Sequence, residues 1–332
     1  RPLEDGRIQI VRRDDAGRFA DVLPPPRSAR SRVHEYGGGS FWVSDDSVFF
    51  VDADDQRIWR IDPGGEPVAL TPPPHQRHGW RYADGVVTPD GRWVVCVAEV
   101  HPGEVDAPPG ATEALNDLVV VPATGGRPRV LGTGADFVSS PRVSADGRSL
   151  AWIEWDHPNM PWDATRLMVA GLGEDAEGRL TLADPACVAG AAGDEAIAQP
   201  EWDLDDRLWF CSDRSEWWKL HHFAEVGRPV GAPLTVDHGS GDVALPPWVF
   251  GESRYAMLAD RRVVFAFSLD GIDHLAAYDS VSGRVDRLSV GATEIRQVRA
   301  DGSGAVFVGA SFTADPSVQA TMVGRGGATS PA

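Results

Sequence analysis

Six times along the chain two short apolar runs face each other across an acidic or glycine-bearing turn, and this repeat limits the fold more than any single motif. Phe41-Trp42-Val43 turns at Ser44-Asp45-Asp46-Ser47 into Val48-Phe49-Phe50-Val51. Gly85-Val86-Val87 turns at Pro89-Asp90-Gly91-Arg92 into Trp93-Val94-Val95-Cys96-Val97. The same unit recurs at 141–153, 200–211, 255–267 and 298–308. Asp and Gly tolerate the positive φ of tight hairpins, so apolar runs around such turns predict antiparallel strand pairs. Third and fourth runs follow most pairs, as in Arg57-Ile58-Trp59-Arg60-Ile61 before Pro67-Val68-Ala69-Leu70. Four strands per unit, recurring roughly every 40–60 residues, predict an all-β propeller of about seven four-stranded antiparallel blades. Arg7–Val11 and Phe19–Leu23 are expected to be the last strands of a first blade that is incomplete at the N-terminus. Tandem β-sandwiches also contain many short strands, but would not reuse one turn type along the whole chain.

Hydrophobic residues make up 42% and charged residues 24%, the balance of an ordinary folded domain. The net charge of −18 repels phosphate backbones and anionic lipid, which argues against nucleic-acid and membrane partners. Cys96, Cys187 and Cys211 lie far apart, and none has the close partner of a zinc site. A reducing compartment, the cytoplasm, is the expected location. No cofactor is implied.

Several segments resemble bacterial enzymes of the prolyl-oligopeptidase family, of the dipeptidyl aminopeptidase and acylaminoacyl-peptidase type. Val33-His34-Glu35-Tyr36-Gly37-Gly38-Gly39, Arg81-Tyr82-Ala83-Asp84-Gly85 and Ser139-Ser140-Pro141-Arg142-Val143 look like family segments. So do Trp155-Asp156-His157-Pro158-Asn159-Met160-Pro161-Trp162-Asp163, Gln199-Pro200-Glu201-Trp202 and Ser212-Asp213-Arg214-Ser215-Glu216-Trp217-Trp218. They follow one another in family order. The resemblance implies a propeller, residues 1–323, that covers an α/β-hydrolase domain and admits short peptides to a serine-peptidase site. It implies that 324–332 is a linker toward that hydrolase domain, which this sequence lacks. No Gly-x-Ser-x-Gly nucleophile elbow occurs, so no catalytic residue is carried over. A stand-alone interaction scaffold and a metal-dependent, lactonase-like propeller are the other readings.

The candidate site is the Pro- and Trp-rich loop. Asp156, His157 and Asn159 are expected to contact substrate or the hydrolase, with Trp162 as an apolar wall, because loops mount binding groups on rigid scaffolds. The alternative is a self-packed interdomain loop. Gly37-Gly38-Gly39 precedes a strand, not a helix, so a phosphate cradle is not expected and the glycines are read as letting an inner strand crowd the axis. Glu99 and Glu154 lie singly at strand ends, where solvent exposure is expected. Asp52-Ala53-Asp54-Asp55 and Asp203-Leu204-Asp205-Asp206 lack the spacing of a calcium loop and read as acidic turns. The histidines form no metal set, and His221-His222, adjacent on a strand, face opposite sides.

Overall fold

The apolar runs form strands that are buried on both faces, which is why they read as continuous rather than alternating. The computed structural model describes every residue except Asp15, Arg228, 325–328 and Ala332, with the backbone alone for 329–331. A two-stranded sheet, β1 (Val11–Arg13) and β2 (Phe19–Asp21), comes first. Six four-stranded antiparallel sheets follow. The first is β3 (Phe41–Ser44), β4 (Ser47–Val51), β5 (Ile58–Ile61) and β6 (Val68–Ala69). The second is β7 (Trp80–Val87), β8 (Trp93–Val100), β9 (Leu115–Pro122) and β10 (Arg129–Val130). The third is β11 (Phe137–Val143), β12 (Ser149–Trp155), β13 (Arg166–Glu174) and β14 (Leu180–Ala189). The fourth is β15 (Ile197–Trp202), β16 (Leu208–Ser215), β17 (Trp217–His222) and β18 (Leu234–Thr235). The fifth is β19 (Tyr255–Met257), β20 (Arg262–Leu269), β21 (Ile272–Asp279) and β22 (Arg284–Leu288). The sixth is β23 (Glu294–Asp301), β24 (Gly304–Ser311), β25 (Ala314–Val323) and β26 (Thr329–Pro331).

The core is distributed between neighbouring blades, as a propeller requires. Along β8, Val94, Cys96, Ala98 and Val100 pack toward the first blade, while Val95 and Val97 pack toward the third. Along β12, Leu150 and Trp152 face the second blade, and Ala151, Ile153 and Trp155 face the fourth. β16 and β20 divide their residues the same way. The strand period of two thus feeds two cores at once. Trp152, 1% exposed, is among the largest residues so buried, and truncating it to Ala would cost about 3–5 kcal/mol.

Among the described residues six complete blades stand, where six hairpin units and the N-terminal pair predicted about seven. The pair assigned to an incomplete blade is a separate sheet, shifted at its first strand from Arg7–Val11 to Val11–Arg13. All six of its strand residues are exposed, and the flanking Ile10, Val22 and Leu23 pack on the first blade beside Phe50 and Ile61. In the stretch expected to be a linker, Thr329–Pro331 pairs with β25, while 325–328 and Ala332 lie outside the described residues.

Four of the inner strands share one irregularity. Asp84, Ser140, Gln199 and Gln297 have φ of 51°, 53°, 48° and 53°, each where the pairing with the next strand slips. Such bulges re-aim the side chains beyond them. Two residues further on stand Arg142, Glu201 and Arg299, which turn inward.

An aromatic pocket at the end of the propeller axis

The left-handed residues also tie blade to blade near the axis. Asp84 accepts the backbone N–H of Ser140 at 3.1 Å, and Gln199 accepts that of Arg254 at 2.7 Å. Arg142 joins Asp84 at 3.1 Å and Glu201 at 3.0 Å, so one guanidinium bridges the second and fourth blades. Burial pulls its pKa down, but the two carboxylates outweigh that and raise it.

Above this cluster the chain crosses itself. Gly38 forms a parallel bridge with Phe250, Phe250 N–H donates to the Gly37 carbonyl at 3.0 Å, and Asp84 N–H donates to the Gly39 carbonyl at 2.8 Å. Gly38 has φ of 93°, and a Cβ there would run into the Phe250 backbone. A Cβ on Gly39 would come within 2.8 Å of the Asp84 nitrogen. The glycines do permit close approach, though by a segment before β3 rather than by a strand.

That crossing forms one wall of a pocket of about 220 Å³. The other walls are the 155–163 loop, the 244–254 segment and the bulges of β11 and β15 at Ser139, Ser140 and Gln199. Eight aromatic rings, those of two histidines included, stand in its lining. His34 lies edge-on to Phe137 and Trp155, at 5.4 and 5.9 Å between ring centres, and 5.0 Å from Phe250. Phe137 stacks on Trp155, and His157 meets Phe137 edge-on at 4.9 Å. Trp162 packs on Trp248 at 4.3 Å, and Tyr36 closes on Trp248 at 5.7 Å. Burial lowers the pKa of His34 against the opposing field of Glu99, so its imidazole is neutral at pH 7. Tyr36, Trp248 and Met160 are 65%, 53% and 43% exposed, which leaves the rim apolar and open.

Of the sequence candidates, His157, Asn159 and Trp162 line this pocket. Asp156 does not. It holds the base of the loop, accepting Asp136 N–H at 3.0 Å and pairing with Arg166 at 2.7 Å, while Asp136 accepts His157 N–H at 2.9 Å. Within the loop, Asp163 accepts Met160 N–H at 2.8 Å. The loop is therefore both self-bonded and pocket-lining.

Glu99 and Glu154 are not exposed: they are 5% and 6% accessible. Glu99 pairs with Arg81 at 3.4 Å and His101 at 3.2 Å, and Glu154 pairs with Arg166 at 3.1 Å. Burial pushes the Glu99 carboxyl up, but hydrogen bonds from His101 and the His34 N–H outweigh it and leave the pKa lowered. Each glutamate sits where a neighbouring strand of its own blade supplies a cation, Arg81 on β7 and Arg166 on β13, which strand-end position alone does not reveal. His34, Tyr36 and the 244–254 segment were missed as lining residues. The run Leu245-Pro246-Pro247-Trp248 shares the Pro and Trp content of the 155–163 loop and was the available signal.

A wider groove of about 730 Å³ runs past Pro72-Pro73-Pro74, but its Glu104 is engaged by the backbone N–H groups of His75 and Gln76. Among the described residues no group of three or more His, Cys, Asp or Glu is arranged to hold a metal, and no helix is long and apolar enough to cross a membrane.

No family model matches the chain, and no curated protein does. Solved structures do. A puromycin-hydrolysing peptidase from Mycobacterium tuberculosis is 33% identical with a TM-score of 0.87, matching 100% of this chain and 50% of its own. A puromycin hydrolase is 32% identical with a TM-score of 0.86 over the same shares. The chain is a propeller domain of the prolyl-oligopeptidase family. It is homologous to the N-terminal domain of the family's peptidases and spans about half the length of the solved peptidases it matches. An oligogalacturonate lyase, 15% identical with a TM-score of 0.59, shares the fold alone.

Proposed function

We propose that this propeller docks on an α/β-hydrolase domain of the same protein and gates the access of short peptides to it, with the aromatic pocket at the shared face. The observation that carries this reading is the pocket's exposed aromatic rim, Tyr36 and Trp248 beside Trp162. An apolar rim around a concave site suits a surface that another domain covers. The Arg142 ion cluster joins the second, third and fourth blades beside the pocket and the 37–39 segment bridges to Phe250, which supports a site that admits short peptides and excludes a folded protein. His157, Asn159 and Trp162 would touch the peptide or the hydrolase, and Asp156 would hold their loop. The wider assignment is to a bacterial, cytoplasmic dipeptidyl or acylaminoacyl peptidase with no cofactor. Puromycin, on which the two solved relatives act, is the first substrate to try.

The test uses a protein in which this chain precedes its hydrolase domain. His157→Ala and Trp162→Ala should each change kcat/KM for aminoacyl-arylamides by about tenfold, a loss of roughly 1.4 kcal/mol in transition-state binding, with little change in Tm. Normal kinetics in the folded fraction of early-melting variants would make the loop a packing element instead.

A further inference from the structure

We infer that the opening between the sixth blade and the first seats two further β-strands, supplied by the polypeptide ahead of Arg1, which complete β1 and β2 to a seventh blade. This inference is independent of hydrolase docking and of the aromatic pocket.

Apolar cores join the six blades in series, and one more joins the first blade to Ile10 and Leu23. Among the described residues no such core joins the sixth blade to the first or to the N-terminal segment. The far face of the sixth blade is apolar all the same. Ala305 and Phe307 on β24 pack toward the fifth blade, so the alternate Val306 and Val308 turn away from it. Ala320 and Val318 stand opposite them on β25, with Met322 further along. Val318 is 77% exposed. The first blade is bare in the matching place. Phe41 and Val43 of its inner strand β3 are exposed, whereas Phe50 beside them on β4 is covered by the N-terminal segment. Both faces border one opening: a Cβ on Gly251 would come within 3.1 Å of Gly39, just ahead of β3, and the Gly251 carbonyl accepts Arg299 of β23 at 3.2 Å. Among the described residues β1 and β2 pair only with each other, whereas each of the six blades has four strands placed in chain order. In that order β1 and β2, lying against β4 and β5, are third and fourth strands, and the two inner places belong to strands earlier in the chain. The unpaired edge of β1 supplies the backbone groups, and the two walls call for strands that are apolar on both faces.

Thermal melts should compare this chain with one carrying about 40 more residues of the natural polypeptide ahead of Arg1, enough for two strands and their turns. Those residues should hold two apolar runs around an acidic or glycine-bearing turn, and adding them should raise Tm by about 5 °C or more. Val318→Lys and Val43→Lys, one on each wall, should leave the Tm of the 332-residue chain within about a degree and lower that of the longer chain by about 3 °C or more. Val281→Lys, on an exposed turn of the fifth blade, should be silent in both. An unchanged Tm on extension, with both wall variants silent in the longer chain, overturns the assignment. So does a loss from Val318→Lys already in the shorter chain, which would mean that its face is packed without added strands. Sedimentation tests the other occupant: a dimer of the shorter chain that Val318→Lys turns into a monomer gives the face to a second copy and overturns the seventh blade.

Discussion

Glu99 on β8 accepts the backbone N–H of His34 at 2.7 Å, so a buried carboxylate of the second blade holds the imidazole that lines the pocket. The same carboxylate pairs with Arg81 and His101. Removing it leaves the His34 N–H without its acceptor in a buried site and takes one of two carboxylates from Arg81, which keeps Glu35 at 2.6 Å.

Glu99→Ala should therefore destabilise the chain by about 3 kcal/mol, in the range for breaking one side of a buried pair. Glu99→Gln keeps an acceptor for His34 and should lose less. Guanidinium denaturation of the two variants side by side checks the order, and equal losses would count against the His34 contact.

Arg142 separates two carboxylates near the axis. Arg142→Met removes the ion-pair partner of both Asp84 and Glu201, leaving them only the weaker field of Arg299, and about 3–5 kcal/mol should be lost. Adding Glu201→Gln to that variant should restore part of the loss, because the like-charge repulsion falls. A double variant no more stable than the single one would mean the carboxylates do not interact.

Gly38→Ala should cost at least about 1–3 kcal/mol, since its φ of 93° is unfavourable for any side chain and its Cβ has no room beside Phe250. Gly291→Ala is the control: a Cβ there meets nothing within 4 Å, and the expected change is near zero. Thermal melts of both decide whether the chain crossing is tight or merely close.

Stability should fall as pH drops from about 6.5 toward 4. His221, fully buried against Phe210 with Nε2 unpartnered, has its pKa pushed down by burial to about 4. The unfolded chain takes up that proton near pH 6.5, while the native chain does not until about pH 4. A depressed histidine pKa thus contributes stability above 6.5 that is lost on acidification, roughly 3 kcal/mol for this residue. Burial lowers His34, His222 and His238 in the same sense. Denaturation midpoints at pH 7.5 and 5.0 measure the slope, and His221→Leu should flatten it. An unchanged slope would assign the loss to other groups.

The 155–163 loop was legible from composition, because prolines, tryptophans and a histidine between β12 and β13 exceed what a connector needs. Its partners in the pocket were not. His34 and Trp248 lie far from that loop in sequence and meet it only where two distant segments pair at Gly38 and Phe250. Burial of Glu99 and Glu154 was misread for the same reason: Arg166, which neutralises Glu154, is on the neighbouring strand and not in the local run.

The sequence by itself determined the blade. Apolar runs with period two on both faces, joined by Asp-Gly turns, have no other way to bury their side chains than between stacked antiparallel sheets. Tertiary structure decided the rest. Whether the first two strands joined a blade depended on whether anything packed on both their faces, and nothing does. Which glutamates were buried depended on the cation opposite, and which rings formed a pocket depended on two distant segments pairing at Gly38 and Phe250. Contacts of that kind are set by how strands and distant segments come together in space, which no local pattern of residues encodes.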